Sequence, residues 1–182
     1  MTQRFKAMAV SPVINFKQWI NDHRDQLKPP VNNAQVFKDV KDFIIMVVGG
    51  PNARKDYHYN ESEEFFYQLE GNIVVKIIDD GVPKDIHINE GDIFMLPGKT
   101  PHSPQRGPNT IGLVIEKVRQ DKEIDGFLWF CENCGNKLYE EYVEMTDIVT
   151  QLPPIMNRFY ANEDLRTCTK CGTVMEPPKK AV

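Results

Sequence analysis

Between residues 35 and 116, short runs of β-favouring residues alternate with turn-forming residues, and this pattern restricts the chain to an all-β fold. The runs cover residues 43–48, 64–69, 73–78, 85–88, 93–96 and 111–116. Glycine, proline, asparagine and aspartate fill the gaps between them. Short strands at this spacing are typical of a β-barrel or a β-sandwich, and no strand–helix alternation indicates a parallel sheet.

Helices are predicted only outside this region. Residues 15–27 show helical spacing of apolar side chains, and Asn15 is a suitable cap for the first turn. Residues 152–164 form a second predicted helix. Pro153 and Pro154 fall in its first turn, where a missing N–H group is tolerated.

The chain of 182 residues is long enough for one domain and a small appendage. After Glu116 the composition changes, because residues 117–126 are charged and resemble a connector, and all four cysteines follow. We therefore predict a barrel with an N-terminal helix over residues 1–120. A small metal-binding segment over residues 121–182 is predicted to pack on that barrel.

The charge and the hydropathy pattern argue against two classes of partner. The formal net charge is −4, and no stripe of basic and aromatic residues is present, so binding to nucleic acid or to an anionic membrane is not expected. The longest apolar run, residues 43–48, is too short to span a bilayer. Residues 1–10 contain no apolar signal-peptide core, so a cytoplasmic protein is expected.

Two imidazoles and one carboxylate fall in two short blocks of the β-rich region. His58 follows a Gly-Pro turn, Glu64 opens the next strand, and His102 follows a strand that ends in a Pro-Gly turn. A barrel can bring the ends of these strands to one interior point. Two histidines and one carboxylate are the ligand set of non-haem Fe(II) sites with open coordination positions.

The four cysteines form two Cys-x-x-Cys-Gly pairs, at Cys131 and Cys134 and at Cys168 and Cys171. In a protein of the cytosol this arrangement favours a metal over disulfides. Four thiolates suit a closed tetrahedral site that holds Zn or Fe. We expect a structural role for this site, and electron transfer is the alternative.

The two blocks around the histidines resemble the two cupin motifs, with matches at Gly50, Glu64, Gly71, Gly91, Pro97 and His102. One departure is Asp56, which stands where many cupins have a further histidine. A longer resemblance, to the 3-hydroxyanthranilate 3,4-dioxygenases, covers about residues 15–172. The segments that carry it are residues 27–33, 47–52, 54–58, 63–68, 96–97 and 102–106, and the two cysteine pairs resemble those of the bacterial and fungal form.

This resemblance implies a cupin (jelly-roll) barrel that binds Fe(II) through His58, Glu64 and His102. The implied reaction opens the ring of 3-hydroxyanthranilate with O2 to give 2-amino-3-carboxymuconate semialdehyde, the precursor of quinolinate in NAD biosynthesis from tryptophan. A homodimer is also implied. The resemblance assigns the remaining site residues as follows: Arg106 to the substrate carboxylate, Glu116 to a proton or hydrogen bond of the substrate, Arg54 to O2, and Asn32, Phe66 and Pro104 to the pocket lining.

Other functions remain open at the level of the sequence. The alternatives are a cupin metalloenzyme that acts on another small acid, a non-catalytic cupin that binds a small ligand, and a zinc-ribbon adaptor. Arg106 beside an iron-type ligand set favours an aromatic acid as substrate. Glu116 also fits a strand exit, and Arg54 also fits a surface charge.

Overall fold

The structure, a computed structural model, describes residues 10–29 and 32–178. Its elements in chain order are α1 (Phe16–His23), β1 (Asn33–Gln35), β2 (Phe43–Gly49), β3 (Tyr57–Tyr59), β4 (Glu64–Glu70), β5 (Ile73–Asp79), β6 (Val82–Ile88), β7 (Ile93–Leu96), β8 (His102–Arg106), β9 (Ile111–Lys117), β10 (Asp125–Phe130), β11 (Lys137–Val143), α2 (Ile148–Tyr160) and α3 (Glu163–Arg166). The stretch on which the cytoplasmic expectation rests, residues 1–10, lies almost wholly outside the described residues.

Two antiparallel sheets form the barrel. Sheet A has the strand order β1-β2-β9-β4-β7, and sheet B has the order β11-β10-β3-β8-β5-β6. Alternate residues of each strand point between the sheets, as β5 shows with Ile73, Val75 and Ile77 buried. Phe66 and Val114 of sheet A join them in one apolar core. The predicted all-β fold of the cupin type, with a few short helices, is confirmed.

The six predicted strands are present as β2, β4, β5, β6, β7 and β9. The largest difference in their bounds is in β6, which begins at Val82 instead of residue 85. The prediction missed β1, β3, β8 and β10. Strand β8 contains Pro104, which the sequence pattern placed in a turn. The Pro104 carbonyl accepts a hydrogen bond from Asn52 Nδ2 (2.8 Å), so it points away from β5. The nitrogen and the carbonyl of one strand residue point to the same side, so the ring nitrogen of Pro104 also faces away from β5. The proline therefore removes no hydrogen bond between β8 and β5.

The first helix is shorter than predicted. α1 ends at His23, and i→i−3 hydrogen bonds at residues 26 and 27 continue the chain as turns. The Asn15 cap is confirmed, because its side-chain oxygen accepts from Gln18 N–H (2.9 Å). The turns seat Leu27 against Gly49, where an added Cβ would lie 2.0 Å from the Leu27 carbonyl oxygen, so only glycine fits there.

The second predicted helix begins earlier than expected. α2 starts at Ile148, so Pro153 and Pro154 lie inside it, and the prediction that they occupy the first turn was wrong. The side chain of Gln151 stabilises the preceding turn, because its Oε1 accepts from the backbone N–H groups of Thr146 (2.8 Å) and Asp147 (2.7 Å). This local capping extends the helix past the point where the missing N–H groups of proline would stop it.

The C-terminal part is joined to the barrel by a strand. β10 pairs with β3 of the barrel and, on its other edge, with β11. Behind these strands, α2 and the last described residues enclose a second apolar cluster. The division at residue 120 stays a prediction. Among the described residues, no helix is long and apolar enough to cross a membrane.

Candidate active site and cysteine centre

Three strands bring the predicted metal ligands together inside the barrel. His58 of β3 and His102 of β8 are direct partners across sheet B. Glu64 begins β4 in sheet A and points at them from the opposite side. One ligand atom from each of the three residues lies within 4.8 Å of the others. We call this group the barrel site.

Hydrogen bonds fix the orientation of both imidazole rings. His102 Nδ1 lies 3.0 Å from the Thr100 carbonyl oxygen, which leaves Nε2 facing Glu64 Oε2 at 3.0 Å. His58 uses the opposite nitrogen, because its Nε2 lies 2.6 Å from Asp125 Oδ1 and Nδ1 is left for a metal. Each ring is therefore held by a carbonyl or a carboxylate behind it, which is the usual arrangement of metal-binding histidines.

The protonation states of the barrel site suit a divalent metal. Burial lowers the pKa of His58, and its hydrogen bond with Asp125 only partly opposes this, so the ring is neutral at pH 7. Burial alone would raise the pKa of Glu64, but the two histidines and Arg54 outweigh it and the net shift is downward. Two neutral imidazoles and one carboxylate form a metal-binding set that leaves coordination positions open.

Arg106 is a buried cation beside this set. Its side chain is 4% exposed, and burial lowers its pKa to about 10, so it stays charged at pH 7. Within residues 10–29 and 32–178, no carboxylate is in ion-pair contact with it, and its side-chain hydrogen bond goes to Gln68 Oε1 (3.3 Å). Gly112 makes room for it, because an added Cβ there would lie 2.9 Å from Arg106 Nη1. A buried guanidinium without an ion partner is suited to bind a carboxylate ligand.

Glu116 of β9 is a second buried carboxylate at the site. It is 8% exposed and is the cross-strand partner of Glu64. Burial raises its pKa, and the charge of Glu64 raises it further, although Arg119 opposes both effects. A carboxylate whose pKa is raised in this way binds a proton more readily than an ordinary carboxylate.

Arg54 is close enough to Glu64 for the two charges to interact, and it pairs with Asp56 (2.5 Å). Burial would lower the pKa of Arg54, but the charge and hydrogen bond of Asp56 raise it, so the guanidinium is fully charged. The sequence identified Asp56 only as a departure from the cupin motif. The structure shows that it is buried and that it holds Arg54 in place.

The three residues that the resemblance assigns to the pocket lining lie in different elements of the structure. Phe66 is fully buried and packs its ring edge-to-face with His102 at 6.4 Å. Pro104 lies in β8, two residues beyond His102. Asn32 adopts a positive φ of 63° and donates from Nδ2 to the Pro51 carbonyl oxygen.

Two charged residues that the sequence pattern did not indicate contact the site. Asp125 hydrogen-bonds His58, and Arg119 forms ion pairs with both Asp125 (2.8 Å) and Glu116 (2.6 Å). Both residues lie in the charged stretch 117–126, which was interpreted as a connector. The only local indication was an aspartate directly before the apolar run that became β10.

The four cysteines meet as predicted from their spacing. Their sulfur atoms lie within 4.8 Å of one another, with 3.6 Å between Cys131 and Cys171 and 3.6 Å between Cys134 and Cys168. Each pair forms a tight turn, in which the glycine after the second cysteine has a positive φ and its N–H donates to the carbonyl of the first. We call this group the cysteine site. Hydrogen bonds from Thr173 and from the Asn133 amide lower the pKa of Cys171 to about 5.

An apolar cluster supports the cysteine site. Trp129, two residues before Cys131, is fully buried and stacks on Phe159 of α2 at 4.4 Å. Ile155 and Met175 complete the cluster. Phe130 has the opposite orientation and packs against Tyr57 of β3 at 5.1 Å, so only Trp129 of this aromatic pair enters the cluster.

Two antiparallel sheets closed around two imidazoles and a carboxylate define a barrel protein of the cupin type with a candidate metal site. A sequence model described as 3-hydroxyanthranilic acid dioxygenase matches residues 8–160. The chain belongs to this family.

Curated relatives agree over nearly their full length. A 3-hydroxyanthranilate 3,4-dioxygenase of Xanthomonas euvesicatoria is 52% identical over 169 residues, which cover 93% of this chain and 95% of the relative. The protein of the same name from Neurospora crassa is 46% identical over 93% of this chain and 92% of its own. Among solved structures, a cupin-2 domain protein from Shewanella frigidimarina aligns with a TM-score of 0.47 and 19% identity over 58% of this chain and 95% of that chain.

Proposed function

We propose that the protein is an Fe(II)-dependent dioxygenase that opens the aromatic ring of 3-hydroxyanthranilate with O2 to give 2-amino-3-carboxymuconate semialdehyde. Membership of the family supports this substrate. The observation that carries the proposal is the buried Arg106 beside the barrel site, because it has no ion partner among the described residues. An aromatic acid provides the missing carboxylate.

The barrel site would hold the catalytic iron through His58 Nδ1, His102 Nε2 and the Glu64 carboxylate. Iron bound there supplies open positions for a chelating substrate and for O2. Imidazole and carboxylate ligands suit this metal as well as several other divalent ions, so Fe(II) is part of the proposal. At the cysteine site, four thiolates without an open position suit Zn or Fe in a structural role.

The protein side chains would bind and orient the substrate. The Arg106 guanidinium pairs with its carboxylate, and this contact places the neighbouring hydroxyl and amino groups towards the barrel site. Glu116 accepts a proton from one of these groups, because burial and the charge of Glu64 raise its pKa and favour the protonated form. Arg54 stabilises negative charge that develops on the O2 side. Phe66, Pro104 and Asn32 line the pocket and exclude water.

The proposal includes the wider context of the enzyme. The product is the precursor of quinolinate, which places the reaction in NAD biosynthesis from tryptophan.

We propose a cytoplasmic enzyme that acts without nucleic acid or a membrane, as a homodimer. Exposed apolar side chains on sheet A, Phe43 (51%), Ile93 (68%) and Met95 (52%), support an interface between two copies. Sedimentation of the purified protein at several concentrations tests the dimer.

Turnover with and without the substrate carboxylate tests the function. The protein, reconstituted with Fe(II) without air, is mixed with 3-hydroxyanthranilate or with 2-aminophenol, which lacks the carboxylate. We expect stoichiometric O2 uptake and an ultraviolet product band with the acid, and a kcat/KM lower by about 100-fold with 2-aminophenol. Arg106→Met should reduce this preference to within about threefold, whereas the surface change Arg24→Leu should keep it. Absence of O2 uptake by iron-loaded protein would contradict the proposal.

A further inference from the structure

A chain of hydrogen bonds and ion pairs runs from the barrel site to Glu116 through two residues that have no assigned role. His58 Nε2 lies 2.6 Å from Asp125 Oδ1. Arg119 reaches the same carboxylate with Nη2 (2.8 Å) and with Nε (3.2 Å to Oδ2). The other arm of Arg119, Nη1, lies 2.6 Å from Glu116 Oε2. One guanidinium therefore connects a metal ligand's partner to the proposed proton acceptor.

The whole chain is shielded from water. The side chains of Asp125, Arg119 and Glu116 are 1%, 16% and 10% exposed. Two carboxylates at such depth require a cation, and Arg119 is the side chain that forms ion pairs with both in the described structure. Its three donor nitrogens all take part, which a lysine ammonium at one point cannot reproduce.

The contact at Asp125 decides which nitrogen His58 offers. A neutral imidazole carries one N–H, and a carboxylate at 2.6 Å from Nε2 keeps that hydrogen on Nε2. Nδ1 is then the nitrogen with the lone pair that a metal requires. Arg119 holds Asp125 through both carboxylate oxygens, so the Asp125 carboxylate cannot rotate away from the ring without breaking contacts with Arg119.

The contact between Arg119 and Glu116 fixes the orientation of the Glu116 carboxylate in a similar way. Arg119 Nη1 takes up Oε2, and Asn60 Nδ2 lies 3.5 Å from the same oxygen. Both contacts use Oε2, so neither of them occupies the other carboxylate oxygen. Without the guanidinium, Glu116 would lie opposite Glu64 with no cation in contact, and repulsion between the two carboxylates would displace it.

We propose that Arg119 is a positioning residue that sets two things at once, the His58 ring for metal binding and the Glu116 carboxylate for the substrate, with Asp125 as its link to His58. The metal-binding half stands without the proposed function. The effect on Glu116 rests on that function.

Metal affinity measured without substrate tests the first half. Co(II) is titrated into metal-free protein whose cysteine site has been loaded with Zn(II), and the visible Co(II) spectrum reports binding at the barrel site. We expect Arg119→Leu to weaken Co(II) binding by about 10–100-fold, the usual effect of losing an outer-shell partner. Arg119→Lys should recover part of it, and Asp125→Asn, which keeps the shape of the side chain, should lose about as much as Arg119→Leu.

The matched control is Arg24→Leu, which removes a surface guanidinium that binds Glu70 with two nitrogens. Its Co(II) affinity should equal that of the parent protein. If Arg119→Leu and Asp125→Asn also bind Co(II) like the parent, the proposal is wrong, whether or not their unfolding temperatures fall. If Arg119→Leu fails to fold, Asp125→Asn decides in the same way.

Steady-state kinetics with Fe(II)-saturated protein test the second half. We expect Arg119→Leu to lower kcat about tenfold with KM for the acid within about threefold, because Arg106 still binds the carboxylate. A higher KM at unchanged kcat would overturn the assignment to Glu116. A lack of turnover in the parent protein would refute the proposed function and leave the Co(II) result untouched.

Discussion

The barrel site and the cysteine site hold their ligands in different ways. The barrel site collects residues from three strands of both sheets and surrounds them with buried charges. The cysteine site takes its ligands from two short turns, and each turn is complete within five residues of sequence. Beneath it lies an apolar cluster of Trp129, Phe159 and their neighbours. The first arrangement suits a metal with open positions for a ligand, and the second suits a closed metal centre that holds the chain together.

This difference predicts how each site affects stability. A closed four-thiolate centre contributes its binding free energy to folding, because the site does not exist in the unfolded chain. Buried charges such as Arg106 and Glu116 oppose folding and are kept for binding and reaction. Four experiments distinguish the two cases, beginning with the largest expected change.

Cys131→Ala should have the largest effect on stability. Roughly 10 kcal/mol of metal-binding free energy is at stake, and its loss should release the last third of the chain from the folded state. Glu64→Ala should abolish turnover while the free energy of unfolding changes by about 1–3 kcal/mol. Thermal unfolding and limited proteolysis measure both variants. Equal unfolding temperatures for the two would show that the cysteine site is not the structural one.

Phe159→Ala should lower the free energy of unfolding by about 3–5 kcal/mol, because it leaves a cavity under Trp129. Val82→Ala is the control, since this residue is 54% exposed and lies outside the proposed interface, and it should change stability by less than about 0.5 kcal/mol. Urea unfolding at fixed metal concentration measures the two. A loss below about 1 kcal/mol for Phe159→Ala would mean that the thiolate centre alone holds this region.

Arg106→Met should raise the free energy of unfolding by about 1 kcal/mol while it weakens substrate binding. A buried guanidinium without an ion partner carries a desolvation penalty that an apolar chain of similar length avoids, and the lost hydrogen bond to Gln68 offsets part of the gain. Urea unfolding of the substrate-free protein checks this. A clear loss of stability would show that Arg106 supports the fold rather than a ligand.

Proton release on metal binding should differ between the sites by at least one proton per metal. The pKa of Cys134 is raised to about 12, because burial and the other three sulfurs outweigh the backbone donor at Asn136, so a thiol proton must leave. His58 has a pKa below its ordinary 6.5 and Glu64 a pKa below 4.5, so both are already in their metal-binding forms at pH 7.

These protonation states determine how metal affinity at each site changes with pH. Affinity at the cysteine site should rise about tenfold per pH unit above pH 7 for each proton released, whereas affinity at the barrel site should stay flat and fall only in acid. Calorimetry in two buffers of different ionisation enthalpy measures the released protons. His58→Ala isolates the cysteine site, and protein whose cysteine site has been loaded with Zn(II) isolates the barrel site. Equal proton release at both would contradict the assigned protonation states.

The sequence predicted those parts of each site that are local. His58, Glu64, His102 and the four cysteines were identifiable because each stands in a short block whose spacing matches its geometry. Most strand positions followed from the β-favouring runs. These features need only neighbouring residues, so a pattern over ten residues is enough to find them.

The missed parts depend on pairing across the chain. Asp125 meets His58 across 67 residues of sequence, because β10 pairs with β3, and nothing near either residue indicates this register. Arg119 lies in a charged stretch with the composition of a solvated connector, and only its two buried hydrogen-bond partners, Asp125 and Glu116, reveal another role. For α2, side-chain capping by Gln151 outweighed the tendency of proline to end a helix.

The pairing of β3 with β10 also bears on how the protein is made. A ribosome releases residues 57–59 long before residues 125–130, and until then β3 has only one cross-strand partner residue, His102. His58 in the nascent chain therefore has no contact with the Asp125 carboxylate until residues 125–130 have been synthesised. A translating chain therefore lacks the complete candidate metal site until synthesis is well past its midpoint, so we expect metal binding to follow the synthesis of most of the polypeptide.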